Sequence, residues 1–270
     1  MDNRPVGVFD SGLGGLTVVK ALGQLMPNEN ILYLGDTGRV PYGSRSKETI
    51  TKYAAQCAAF LYEKDIKAMV VACNTVCSVA YGEINEKYDL PVYEVVSAPS
   101  SAAVQSTKNG KIGVIGTTAT IKSNVYQSAI HKLNKDITVF SIPCPLFVPL
   151  VEEGWIKTGD EAATQVAKRY LAGLIESDID TLILGCTHYP LLAGVIKAVM
   201  GNKVTLIDSA IRTAQYIKED LEIKDMLTGD TDKEAKTQYF VTDSIESFST
   251  QASKFLESDI NNMVTKIELE

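Results

Sequence analysis

Short apolar runs alternate with amphipathic stretches along most of this chain. The runs are rich in Val and Ile and predict strands at PVGVF, ILYLG, AMVVA, PVYEVV, KIGVIG, ITVFSI, TLILG, VTLID and TQYFV. Between them, segments such as LTVVKALGQLM and EAATQVAKRYLAGLIES carry apolar residues at the helical spacing of three and four. A repeated strand, helix, strand order predicts an α/β fold of mostly parallel sheets flanked by helices. In such sheets, ligands bind beyond the carboxyl ends of the strands.

Two parts of the chain share one layout, which indicates an internal duplication. PVGVFDSG opens the first part and KIGVIGTTAT opens the second; each is a strand followed by small polar residues. Each part later contains a strand that ends in a cysteine, at Cys73 and at Cys186. We therefore predict two similar, pseudo-symmetric lobes. The first would hold residues 1–97 and 209–270, because the closing segment is expected to return to it, and the second residues 98–208.

The overall composition excludes several classes of protein. The chain has 270 residues, of which 45% are hydrophobic and 22% charged, as in ordinary soluble domains. Its net charge of -7 disfavours a nucleic-acid partner. We expect no signal peptide, and no run approaches the roughly 20 apolar residues of a membrane helix. We expect a cytoplasmic protein that acts on a small molecule, without a nucleic-acid or membrane partner.

The cysteines divide into two groups by their sequence context. In a reducing compartment all five should be free thiols, and a lone cysteine in an apolar run is usually a small buried hydrophobe. Cys57, Cys77 and Cys144 fit that structural interpretation. Cys73 and Cys186 each end a strand where a helix should begin, so backbone N–H groups and the helix dipole would favour a thiolate. Asn74 and Thr75 are expected N-caps, and Thr187 and His188 follow Cys186.

Other polar residues follow the predicted strands. Asp10 and Ser11 come after the first strand, although Asp10 also suits a simple N-cap. The glycine-rich turn DSGLGG lacks both the dinucleotide spacing and the P-loop lysine, which disfavours a nucleotide site. In the turn-rich loop of residues 35–48, Tyr42 and Gly43 could offer a hydroxyl and a backbone N–H.

His188 is one of two histidines in the chain. Its position beside Cys186 favours general acid-base work or tuning of the thiol. An alternative is a metal site formed by Cys73, Cys77, Cys186 and His188. That spacing does not match the usual zinc patterns, so we predict no metal.

Four segments resemble motifs of the glutamate racemase family, and the resemblance extends over nearly the whole chain. The segments are GVFDSGLGGLTV, GDTGRVPYG, ACNT and GCTHYPLL, in the family's order. The resemblance implies two α/β lobes with the active site between them. It also implies an isomerase that needs no cofactor, interconverts L- and D-glutamate, and supplies D-glutamate for the peptidoglycan of the cell wall.

The resemblance also implies roles for residues that match the motifs. Cys73 and Cys186 would act on opposite faces of the substrate α-carbon, with Asp10 and His188 as auxiliary acid-base residues that also contact the substrate. In the L to D direction Cys186 would be the base and Cys73 the proton donor. The remaining positions expected to hold the amino acid are Ser11, Tyr42, Gly43, Asn74, Thr75 and Thr187, with Thr117, Thr118 and Glu152 as additions.

Three questions stay open at the level of sequence. A racemase for aspartate is the nearest alternative enzyme, because the two substrates differ by one methylene. A non-catalytic protein that closes over an amino acid is the alternative outside enzymes. The family suggests a homodimer, and some members associate with DNA gyrase.

Overall fold

All nine apolar runs form strands in the computed structural model, which describes residues 1–230 and 235–269. A tenth, short strand follows near the end of the chain. The strands are β1 (Val6–Asp10), β2 (Ile31–Gly35), β3 (Ala68–Val71), β4 (Val92–Glu94), β5 (Lys111–Gly116), β6 (Thr138–Pro143), β7 (Thr181–Gly185), β8 (Thr205–Asp208), β9 (Thr237–Val241) and β10 (Val264–Lys266).

Helices connect the strands, and polar caps fix where several of them begin. Ser46 and Asp160 each accept a hydrogen bond from a backbone N–H of the first turn that follows. The helices are α1 (Leu16–Leu25), α2 (Lys47–Tyr62), α3 (Asn74–Lys87), α4 (Ser97–Ser106), α5 (Thr118–Lys122), α6 (Val125–Leu133), α7 (Phe147–Glu152), α8 (Glu161–Glu176), α9 (Ala193–Met200), α10 (Ser209–Ile223) and α11 (Ile245–Leu256). Within the described ranges, none of them is long and apolar enough to cross a membrane.

The structure forms two units, each built on one parallel sheet. One unit comprises Met1–Val95 and Thr213–Glu270, and the other Val96–Arg212. The first crossing therefore lies just before α4, whereas the second falls inside α10, with no separate linker. Because a helix continues through this point, the local sequence carries no Pro- or Gly-rich signal to mark it.

The two sheets share one strand order. The first sheet reads β10-β9-β2-β1-β3-β4 and the second β6-β5-β7-β8, with parallel pairing throughout. Four consecutive strands of the first sheet, β2-β1-β3-β4, therefore correspond one by one to β6-β5-β7-β8 of the second, and β9 and β10 extend the first sheet beyond β2. This confirms the α/β class with parallel sheets and the duplicated layout. In each sheet the cysteine-ending strand, β3 or β7, pairs with the opening strand, β1 or β5.

Two glycines allow close packing at the carboxyl edge of the first sheet. A Cβ atom on Gly15 would lie 2.5 Å from the Cβ of Asp10, and one on Gly35 would lie 2.5 Å from the carbonyl oxygen of Gly12. Any larger residue would push the turn after β1 away from the sheet. The glycine-rich turn thus serves packing around Asp10.

A buried ion pair lies at the opposite, amino edge of the same sheet. Lys67 Nζ contacts Glu29 Oε2 at 2.5 Å, and the two side chains are 0% and 3% exposed. Lys67 also donates to the carbonyl oxygen of Asp2, while Glu29 Oε1 accepts the N–H of Thr228. Both charges are therefore paired and hydrogen-bonded, which is what burial requires.

Lys67→Met should lower the free energy of unfolding of the first unit by about 3–5 kcal/mol, because it leaves the Glu29 carboxylate buried without a counterion. Adding Glu29→Gln to that variant should recover part of the loss, since the amide is neutral and still accepts from Thr228. Hydrogen-deuterium exchange of the β1 and β3 amides would measure both effects. If Lys67→Met alone were as stable as the wild type, the expectation would be contradicted.

Candidate active site

Cys73 lies where β3 gives way to α3, next to the end of β1. The pairing of the two strands continues past β3, because Ala72 donates its N–H to the carbonyl oxygen of Phe9 at 2.9 Å. Asp10 and Ser11 therefore come to the same edge as Cys73, whose Sγ lies 3.5 Å from the Ser11 hydroxyl. The Asp10 carboxylate is buried and accepts the Gly12 N–H at 2.9 Å.

Asn74 and Thr75 occupy the first turn of α3, and both are buried. The expectation that they cap this helix is wrong by one residue, because Cys73 is itself the N-cap. The chain leaves the extended conformation directly after the cysteine, so the helix begins at Asn74. Asp10, Ser11, Cys73, Asn74 and Thr75 together are called the Cys73 cluster below.

Tyr42 and Gly43 lie in a 3₁₀ turn, Tyr42–Ser44, that packs against α3. The Tyr42 side chain is buried and its hydroxyl donates to the Asp36 carboxylate. Burial raises the pKa of this hydroxyl, and Cys57 and Asp36 add to the effect, so it stays a donor. The hydroxyl is therefore engaged with Asp36, and a contact between Tyr42 or Gly43 and a ligand stays a prediction.

Cys186 follows β7 and lies close to His188. Its Sγ is 4.0 Å from His188 Nδ1, and His188 Nε2 is 3.2 Å from Oε1 of Glu152 at the end of α7. A neutral ring that donates from Nε2 to this carboxylate presents Nδ1 as an acceptor to the thiol. Cys186, Thr187 and His188 are buried, whereas the Glu152 side chain is 42% exposed. These four residues are called the Cys186 cluster.

The helix after Cys186 begins later than the sequence suggested. A 3₁₀ turn, Tyr189–Leu192, comes first, and α9 follows at Ala193. Pro190 lies in the first positions of that turn, where a missing N–H costs nothing. The two cysteines therefore differ locally: Cys73 caps an α-helix, whereas the carbonyl of Cys186 accepts from Tyr189 in a tight turn.

Thr117 and Thr118 lie at the same edge of the second sheet as Cys186. Gly116 and Gly185, the last residues of β5 and β7, are paired neighbours. Thr117 caps α5, and its hydroxyl accepts the N–H of Thr120 at 3.3 Å. The two threonines thus form the polar turn of the second unit that corresponds to Asp10 and Ser11 in the first.

The other three cysteines are structural, as the sequence indicated. Cys57, Cys77 and Cys144 are buried free thiols, and burial raises the pKa of each above its usual value. Cys77, near the start of α3, donates its thiol hydrogen to the carbonyl oxygen of Val71 at the end of β3. Across residues 1–230 and 235–269, no three His, Cys, Asp or Glu side chains are grouped to hold a metal ion.

Comparison with known proteins identifies the family. The model of the Asp/Glu/Hydantoin racemase family matches residues 16–217. Glutamate racemase from Geobacter metallireducens is 43% identical over 267 residues, which cover 99% of this chain and 97% of the relative.

Two crystal structures agree with this. Glutamate racemase isoform RacE1 from Bacillus anthracis is 40% identical and superposes with a TM-score of 0.94, covering 100% of this chain and 99% of the other. The enzyme from Francisella tularensis, crystallised with D-glutamate, is 39% identical with a TM-score of 0.92 and the same coverage. The resemblance seen in the four motifs is confirmed: the chain belongs to the Asp/Glu/hydantoin racemase family, among the glutamate racemases, which are isomerases.

Proposed function

We propose that this protein interconverts L- and D-glutamate without a cofactor, using Cys73 and Cys186 as two opposed acid-base groups. The observation that carries the proposal is the matched placement of these thiols. Each ends the strand that pairs with the opening strand of its unit, in sheets with the same strand order, and each has polar side chains beside it.

The chemistry explains why a racemase uses two such groups. Inversion of a stereocentre removes the α-proton from one face and returns a proton to the other. One base must therefore be a thiolate while the other is a thiol. In the L to D direction Cys186 takes the proton and Cys73 gives one, and the reverse direction exchanges these roles.

The auxiliary residues suit this exchange. His188, oriented by Glu152, can accept the Cys186 proton and so leave a thiolate. Asp10, a carboxylate beside Cys73 and Ser11, suits the substrate ammonium group. The two clusters therefore supply different chemistry around otherwise equivalent thiols.

The remaining polar groups would hold the amino acid. We propose side-chain contacts to the amino acid from Ser11, Asn74, Thr75, Thr117, Thr118 and Thr187, and backbone contacts from Tyr42 and Gly43. An amino-acid α-proton is far less acidic than a thiol, whose ordinary pKa is about 8.5. N–H groups and exclusion of water must therefore stabilise the carbanion-like charge.

The cellular role follows from the product. We propose that the protein acts in the cytoplasm and supplies D-glutamate for peptidoglycan synthesis. The D-glutamate bound to the Francisella tularensis relative supports glutamate as the substrate. Aspartate is one methylene shorter, a difference worth only about 1–3 kcal/mol, so the two substrates are to be compared directly. A homodimer and an association with DNA gyrase stay predictions.

The first experiment incubates purified protein with L-glutamate in deuterated water, with no cofactor added. Deuterium should enter the α-carbon while the optical rotation decays to zero, and L-aspartate in a parallel tube should react at least tenfold more slowly. Mass spectrometry and polarimetry follow the two signals. Binding of glutamate without either signal would favour a non-catalytic binding protein, and faster reaction of aspartate would reassign the substrate.

Cys73→Ala and Cys186→Ala should each slow racemisation by about 10²–10⁴-fold or more, the usual scale for a lost acid-base group. Cys77→Ala is the matched control, since it removes a buried thiol outside both clusters, and should retain activity. Elimination of chloride from a 3-chloroglutamate isomer needs only one base and should survive in one of the two single variants. Near wild-type racemisation in either variant would refute the two-base scheme.

A further inference from the structure

Asp36 is a buried carboxylate that sequence reasoning passed over. It follows β2, is 0% exposed, and accepts three side-chain hydrogen bonds. Arg39 Nε donates at 2.7 Å and the Tyr42 hydroxyl also donates, both to Oδ2, while the Thr242 hydroxyl donates to Oδ1 at 2.8 Å. These hydrogen bonds fix the side chains of Arg39, Tyr42 and Thr242 around the Asp36 carboxylate.

The backbone of Asp36 reaches the Cys73 cluster. Its N–H donates to the carbonyl oxygen of Asp10 at 3.1 Å, one residue beyond the β1–β2 pairing. On its other side, the carboxylate fixes Tyr42 in the turn that packs against α3, the helix capped by Cys73. Asp36 therefore links two segments that contribute to the candidate site.

Thr242, just after β9, secures the same loop from the other side. Its hydroxyl accepts the Gly38 N–H at 2.8 Å while donating to Asp36, and the next residue, Asp243, donates its N–H to the Thr37 hydroxyl at 3.1 Å. The loop of residues 36–45 is thus tied to a segment more than 200 positions away in sequence.

Arg39 ties the loop to α2 as well. Its guanidinium donates to Gln56 Oε1 at 2.5 Å and lies 4.1 Å from the centre of the Tyr53 ring. Three elements therefore hold one short loop: β9 through Thr242, α2 through Arg39, and β1 through Asp10. Such multiple anchoring is what a loop needs if it is to present backbone groups in a fixed place.

We infer that Asp36 and Thr242 are positioning residues for substrate binding, which fix the loop of residues 36–45 so that Tyr42 and Gly43 present their backbone to the amino acid. The inference rests on the proposed function, because it assumes that glutamate binds at the Cys73 cluster. Neither side chain touches a thiol in the contacts described above, so their loss should weaken binding and spare the chemical step.

Thr242→Val is the sharpest test, since it keeps the shape of the side chain and removes both of its hydrogen bonds. Asp36→Asn is less suitable, because it would leave the mostly buried Arg39 without its carboxylate. We expect Thr242→Val to raise KM for L-glutamate at least fivefold with kcat within twofold of wild type, which is the pattern expected when substrate and transition state lose the same binding energy.

Two control variants accompany this test. Thr242→Ser keeps the hydroxyl and should stay within twofold of wild type in both KM and kcat. Thr265→Val, on the exposed strand β10, is the matched control and should be unchanged.

A second readout does not depend on turnover. Amide hydrogen exchange in residues 36–45 should be at least fivefold faster in Thr242→Val than in the wild type, and unchanged in the Ser variant. An unaltered KM, a fall in kcat alone, or a Ser variant that behaves like Val would each overturn the inference. If the wild-type protein does not racemise glutamate, the proposed function is refuted instead. In that case the anchoring of the loop is still tested, because unaltered amide exchange in Thr242→Val would refute it.

Discussion

The parallel pairing of β1 with β3, and of β5 with β7, is the constraint on which the candidate site depends. Parallel strands end at the same edge of a sheet, so residues that lie far apart in sequence meet there. In the first unit this brings Asp10 and Ser11 to Cys73, and in the second it brings Thr117 to the level of Cys186. The same strand order in both sheets makes the two thiols equivalent in position.

Equivalence of position does not extend to the surroundings. Cys73 caps a helix and has a hydroxyl and a carboxylate nearby, whereas Cys186 has an imidazole held by Glu152. If the two thiols act on opposite faces of one substrate carbon, each meets different substrate groups. Different neighbours around the two thiols suit that requirement. Burial raises the pKa of the three remaining thiols, Cys57, Cys77 and Cys144, and so favours their protonated form.

Sequence periodicity was sufficient for the strands because buried parallel strands are short continuous apolar runs. It missed β10, whose three residues Val264–Lys266 form an exposed edge without an apolar pattern. It singled out Cys73 and Cys186 through their repeated context, and both lie at corresponding strand ends. The links from His188 to Glu152, 36 positions apart, and from Asp36 to Thr242, 206 apart, depend on the tertiary fold and leave no local signal. The predicted N-cap of α3 lay one residue after the observed one, Cys73, because helix boundaries are the least certain part of such predictions.

The first unit is interrupted in the chain, and this sets the order in which a ribosome can complete the two units. Domains tend to fold as units while synthesis proceeds from the amino terminus. All strands of the second unit have been made by Asp208, whereas β2 receives its partner β9 only when Thr237–Val241 emerges. The strands of the second unit are therefore complete before those of the first. The loop beside Cys73 waits for Thr242, so a nascent chain or a truncated product would carry one completed set of strands and one unfinished one.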